Sequence, residues 1–182
     1  MKIVNKYNYP SSTRAKISGL RHYSIDGSEQ KLPSVTTILG ETQPQEKKDS
    51  LDKWRAKVGL REAQRITRDA AIRGTAMHKY LEDLCRGERS LDLTPLGVEA
   101  TKMAEIIVDR GLSGVSEIYG IEATLFYPDL YAGSVDMVAL HNDQVSIIDF
   151  KQTNKPKQRE WIDDYMLQMA AYAMAHDVIY GT

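Results

Sequence analysis

The stretch that most constrains this chain is SVDMVALHNDQVSIIDFK, residues 134–151. Two arms rich in β-branched and apolar residues flank His141-Asn142-Asp143-Gln144. Alternating arms around a short Asn/Asp turn form a hairpin signal. If Asn142-Asp143 is the two-residue loop, His141 faces Gln144 and, counting back, Asp136 lies directly opposite Asp149. Side chains alternate along a strand, so Asp149, Ile147 and Lys151 share a face, and Asp136 joins them. Like charges placed opposite one another destabilise a sheet, and charge beside a core is costly unless paired. Two readings satisfy this constraint. In one, a cation with a preference for oxygen ligands neutralises both carboxylates, as Mg²⁺ would. In the other, both aspartates sit at strand ends in water, with Lys151 as a solvated ion-pair partner. A one-residue slip of register would put the carboxylates on opposite faces.

The rest of the chain frames this hairpin. RHYSI (21–25) and KLPSVTTI (31–38) flank the turn Asp26-Gly27-Ser28 and are expected to form short strands. Residues 41–50 read as a polar loop, and 51–73 as helical with a break at Gly59. A further helix runs from Gly74 to Cys85, separate from the preceding one or continuous with it, and Arg86-Gly87 ends it. A loop containing Pro95 leads to a helix over about 96–110, closed by Gly111. SEIYGIEATLFY (116–127) is a strand, 152–160 a polar basic loop, and 161–176 an apolar-faced helix. Helices, then an antiparallel meander, then a helix predict an α+β domain with helices against a sheet.

Composition narrows the classes of function. A length of 182 residues suits one domain with a single core. The expected division is an N-terminal arm over 1–20 and one domain over 21–182. No apolar run approaches the roughly 18 residues of a membrane-spanning helix. The first ten residues are polar and lack the apolar segment of a secretory signal. Lys2, Lys6, Arg14, Lys16 and Arg21 precede the first acid, Asp26, as a basic arm or an organelle-targeting leader; the chain becomes domain-like by Arg21, which favours the arm. One cysteine, Cys85, rules out an internal disulfide framework and a four-cysteine zinc or iron–sulfur site, and fits a reducing, intracellular setting. The net charge of −1 carries no global signature of nucleic-acid binding, so any such signature must be local.

Several side chains are local candidates. His78 and Glu82 are spaced i, i+4 on one helix face, as are Gln168 and Tyr172. Tyr172 reads first as core; Gln168 beside it needs a partner, which could be a backbone group, a phosphate or a base. Lys57, Arg61, Arg65 and Arg68 are spaced as one helical stripe, and Lys155, Lys157 and Arg159 follow Lys151. Charge stripes on helices are commonly solvated faces; here the stripe directly precedes the His78 helix. No phosphate loop of the GxxxxGK[ST] kind is present, and Cys85 has no nucleophile context.

In order, the chain carries Gly74-Thr75-x-x-His78-x-x-x-Glu82, Gly133-x-x-Asp136, Asp149-x-Lys151 and Gln168-x-x-x-Tyr172. This combination resembles the RecB-like branch of the PD-(D/E)XK nuclease superfamily. PSVTTIL (33–39) and DFKQTNKPK (149–157) are most similar to the mitochondrial genome-maintenance exonucleases and their phage relatives. The resemblance runs from about residue 21 to 176. It implies a restriction-endonuclease-like core whose sheet usually continues with a strand after the Gln-Tyr helix; this sequence stops at Gly181-Thr182, as a fragment or as a protein lacking that strand. Pro128-Asp129 only looks like the "PD" of the name; by motif the metal-binding aspartate is Asp136.

The resemblance further implies a metal-dependent DNA exonuclease acting on single-stranded ends as a monomer, in a bacterial or phage-infected cytoplasm. Asp136, Asp149 and His78 would hold Mg²⁺ or Mn²⁺, with the Phe150 carbonyl as a further ligand and no iron–sulfur cluster. Lys151 would orient the attacking water and stabilise the transition state. Glu82 and, more weakly, Glu122 would orient ligands from outside the metal shell. Gln168 and Tyr172 would position the substrate, and Arg61, Arg65, Lys155 and Lys157 would guide the strand. The competing expectations are an endonuclease of the same superfamily, an inactive nucleic-acid-binding module, a hydrolase of small phosphate esters, and a structural domain whose charges form surface pairs.

Overall fold

The structure, a computed structural model, describes residues 1–182. The chain forms two compact units: Met1–Glu41 with Gly114–Thr182, and Thr42–Ser113. Both helices and sheets are present, an α+β arrangement.

The first unit holds two sheets. One has the order β1-β5-β6-β7, built from β1 (Lys2–Ile3), β5 (Val115–Tyr127), β6 (Tyr131–His141) and β7 (Gln144–Ile148). The expected antiparallel meander accounts for β5, β6 and β7; β1 adds in parallel beside β5, so the sheet is mixed. The other sheet is β2 (Ser12–Ile17), β3 (Leu20–Ile25) and β4 (Lys31–Pro33), all antiparallel. The strand expected over 31–38 stops at Pro33, and a helix, α1 (Val35–Glu41), follows. Ser34 is the cause: its hydroxyl accepts the Thr37 backbone N–H at 3.0 Å, an N-cap that outweighs the β preference of Val35, Thr36 and Ile38.

Helix α5 (Asp163–Tyr180) packs on β5, β6 and β7. Asp163 and Asp164 occupy its first turn, where the helix dipole favours acids, and Gly181 closes it in a left-handed cap. Val35, Tyr119, Leu125, Val135, Val138, Tyr172 and Ala175 form the buried core between these elements. Residues 4–9 lie against it. Tyr7 makes ring contacts with Tyr9, Tyr119, His176 and Tyr180, and the Tyr9 hydroxyl meets His176 Nε2 at 3.1 Å. Through these contacts the first ten residues join the core of this unit.

The second unit is helical: α2 (Gln45–Val58), α3 (Leu60–Arg86) and α4 (Pro95–Arg110). The polar loop expected over 41–50 is shorter than read, because α1 runs through Glu41 and α2 starts at Gln45. Gly59, with φ 85°, separates α2 from α3, and α3 is continuous through Gly74. Lys57 therefore lies on a different helix from Arg61, Arg65 and Arg68, and the basic stripe is broken at Gly59. α4 starts where Thr94 accepts the Gly97 N–H at 3.1 Å, with Pro95 in the first turn. α3 and α4 pack together; Met77 and Leu81 on α3, and Ala100 and Ala104 on α4, are buried. No helix is long and apolar enough to cross a membrane.

Candidate active site

The β6–β7 hairpin turns at Asn142 and Asp143, with φ 47° and 63°. Two consecutive left-handed residues define the tight turn whose twist matches that of the strands it joins. The register runs from His141↔Gln144 to Met137↔Ile148, as the two-residue loop predicts. The next step brings Asp136 and Asp149 side by side, but β7 ends at Ile148, so Asp149–Lys151 leave the ladder instead of extending the strand as expected. Asp136 is the reason: its carboxylate accepts the Phe150 backbone N–H at 2.5 Å, taking the place of a strand-to-strand bond.

Asp149 is nearly buried, its side chain 7% exposed, and forms an ion pair with Lys151. Gln168 Nε2 reaches Asp149 Oδ1 at 3.5 Å and donates to the Tyr172 hydroxyl at 3.2 Å. Burial pushes the Tyr172 pKa up to about 12, the Asp149 and Asp136 charges adding to it, so this phenol stays protonated through the neutral range. The amide and phenol left ambiguous by the sequence are therefore neighbours of the aspartates. Gly133 makes room for the phenol ring: a Cβ there would lie 2.6 Å from Tyr172 Cε1.

On the other side of Asp136 lies Glu122. The register pairing Ile121 with Met137 and Ala123 with Val135 sets Glu122 opposite Asp136, with carboxylate oxygens of the two within 4.8 Å. Glu122 has φ 51°, a strained left-handed conformation within β5. Ser134 donates to Glu122 Oε2 at 2.8 Å, and Arg14 lies 3.6 Å from the same oxygen. Three carboxylates thus follow one another across β5, β6 and the end of β7. Lys151 and Arg14 offset part of their charge. A hard, oxygen-seeking divalent cation would suit the chemistry of this oxygen-rich donor set. Arg14 and Ser134 had no signal in the sequence, since each is defined by a contact across strands.

The remaining candidates are placed as follows. His78 sits half-buried on α3 in the second unit, next to the buried Met77. Glu82, one turn on, is paired with Arg86. Arg61 is exposed; Arg65 is paired with both Glu62 at 2.7 Å and Asp69 at 3.0 Å, so much of its charge is met within its own helix. Lys155 is exposed in the loop after Lys151, where Thr153 accepts its backbone N–H. Lys157 donates to the Tyr165 hydroxyl at 2.6 Å and lies over that ring, as Lys151 also does.

No protein-family model matches the chain. Over 171 residues it is 30% identical to mitochondrial genome maintenance exonuclease 1 of Xenopus tropicalis, an alignment covering 88% of this chain and 47% of that protein. The proteins of the same name from Mus musculus and Homo sapiens are 29% and 27% identical, each over 82% of this chain and 46% of their own length. The chain is related in sequence to these exonucleases. It spans about half the length of the curated relatives it matches.

Proposed function

We propose that the chain is a divalent-metal-dependent DNA exonuclease that hydrolyses phosphodiester bonds at single-stranded ends. The observation that carries this reading is the meeting of Asp136, Asp149 and Lys151 at the end of one hairpin, in a chain related to proteins named exonucleases. On this reading the α+β fold is a restriction-endonuclease-like core, and residues 21–182 are one nuclease domain that works as a monomer.

Asp136 and Asp149 would hold Mg²⁺ or Mn²⁺, and His78 joins them by its motif. When bound, the ion polarises the scissile phosphate and lowers the pKa of water. Lys151 orients the attacking water and stabilises the negative charge that builds on the phosphorus centre. The water oxygen forms the new bond to phosphorus in line as the bond to the 3′ sugar oxygen breaks; the water gives up a proton to solvent and the departing 3′ oxygen takes one up as a hydroxyl. The resemblance implies 5′-phosphate products. Gln168, which reaches Asp149, and Tyr172 behind it would help position the substrate by holding Asp149 in place. Arg61, Arg65, Lys155 and Lys157 guide the strand, Arg65 by exchanging carboxylates for phosphate, which makes binding salt-sensitive.

The deciding experiment incubates wild-type and Lys151→Ala protein with end-labelled linear and with circular single-stranded DNA, in Mg²⁺, Mn²⁺ or EDTA. Metal-dependent loss of linear DNA alone is expected. Lys151→Ala should lower the rate by at least about 10²–10³-fold, the usual effect of removing a transition-state charge partner, while DNA binding persists. Cleavage of circles would make the protein an endonuclease with the same site. Full activity of Lys151→Ala would overturn the assignment.

A further inference from the structure

Beside the carboxylate row, a groove of about 610 Å³ runs along β2, β5 and β6. Hydroxyls of Ser11, Ser12, Thr124 and Ser134 line it, together with Arg14 and Glu122. We propose that this groove seats one nucleotide unit of the DNA strand next to Asp136, with the Arg14 guanidinium gripping its phosphate. The proposal rests on the nuclease reading above and names a contact that reading does not contain.

Four observations carry it. The groove opens at the site, because Glu122 is both its wall and the cross-strand neighbour of Asp136, with oxygens within 4.8 Å. Its volume falls within the roughly 300–1,000 Å³ of small-ligand pockets, so it holds a nucleotide unit rather than a duplex. Its chemistry suits a phosphodiester: Arg14 supplies a positive charge whose planar fork matches phosphate oxygens, and the exposed Ser11 hydroxyl can donate to the sugar–phosphate chain, while Ser134 is engaged with Glu122 and Ser12 with Thr124. Finally, Arg14 is held so that it can exchange partners. Its guanidinium lies 5.7 Å from the centre of the Tyr23 ring, which orients it. Its pair with Glu122, at 3.6 Å, is long, and the side chain is 56% exposed. Exposed pairs of this kind contribute little, so a phosphate displaces the carboxylate at little cost. At one end the groove is closed by Tyr9, whose ring is held by Tyr7, His176 and Tyr180.

The test measures binding of fluorescein-labelled oligo(dT) by anisotropy, in Mg²⁺ and in the Lys151→Ala background so that the probe is not consumed. Arg14→Ala should weaken binding about tenfold and lower the slope of log K against log salt by about 0.7, one phosphate contact on a single strand. Arg14→Lys should restore most of the affinity. Ser11→Trp, a plug at an exposed position, should weaken binding with the salt slope unchanged and the melting temperature preserved. It decides the matter if Arg14→Ala fails to fold. Affinity within twofold of the parent in both Arg14→Ala and Ser11→Trp, with an unchanged slope, overturns the proposal. If the protein without these groove changes cleaves DNA while the groove variants bind normally, only this inference fails. If it neither cleaves nor binds DNA, the nuclease reading fails with it.

Discussion

At the scale of single residues, the site depends on close fits as much as on charges. Gly133 lies under the Tyr172 ring, and a Cβ there would sit 2.8 Å from the phenol oxygen as well as against the ring carbons. Tyr172 is 3% exposed and cannot retreat. Gly133→Ala should therefore cost about 1–3 kcal/mol, an overpacking penalty measurable by urea denaturation, and should loosen the Gln168 contact with Asp149. An unchanged denaturation midpoint would show that the ring moves freely. The parts of the site within one hairpin were legible in the sequence, because alternation and a two-residue turn suffice to place Asp136 beside Asp149. Arg14 and Ser134 were not, because their roles exist only once β2, β5 and β6 are aligned.

At the scale of elements, the hairpin turn sets the register on which the carboxylate row depends. Asn142 and Asp143 both adopt left-handed backbone conformations, which Asn, Asp and Gly tolerate and β-branched residues do not. Asp143→Val should lower stability by roughly 1–2 kcal/mol, whereas Asp143→Gly should be neutral or slightly stabilising. Equal melting temperatures for the two variants would argue against the turn as the determinant of register. The same elements show where sequence reading falls short. The run Val35-Thr36-Thr37-Ile38 has strand composition, yet a single hydroxyl on Ser34 starts a helix there. β1 is only Lys2–Ile3, too short to leave any periodicity, and its existence depends on β5 lying beside it.

At the scale of the whole molecule, the two ends of the chain are tied together at His176. It is 2% exposed, faces Tyr7, Tyr9 and Tyr180, and its Nδ1 meets the Thr182 hydroxyl at 2.7 Å. Burial holds its pKa below the usual imidazole range, against the pull of Asp177 and with Lys6 adding to the depression. The unfolded chain takes up this proton near pH 6.5 and the folded one resists it. The stability contributed by neutral His176 is thus fully present above that pH and is lost as pH falls through the folded value. Melting temperatures measured from pH 7.5 to 5 should decline in wild type more steeply than in His176→Gln. Parallel curves would assign the acid sensitivity to other groups.

The division of the chain into a split unit and a continuous one also bears on the order of folding. Residues 42–113 form α2, α3 and α4 by contacts close in sequence, so they can fold as soon as they are made. The unit carrying Asp136 and Asp149 cannot, because β1 finds its partner only when Glu117 and Ile118 arrive, and α5 comes later still. During synthesis the helical segment therefore completes first, while the opening residues wait with β2, β3, β4 and α1 as their local structure. The hairpins that carry the carboxylate row emerge after the helical segment, and α5, which packs on their sheet, emerges after them, so the like charges come together before the helix that covers the sheet is complete.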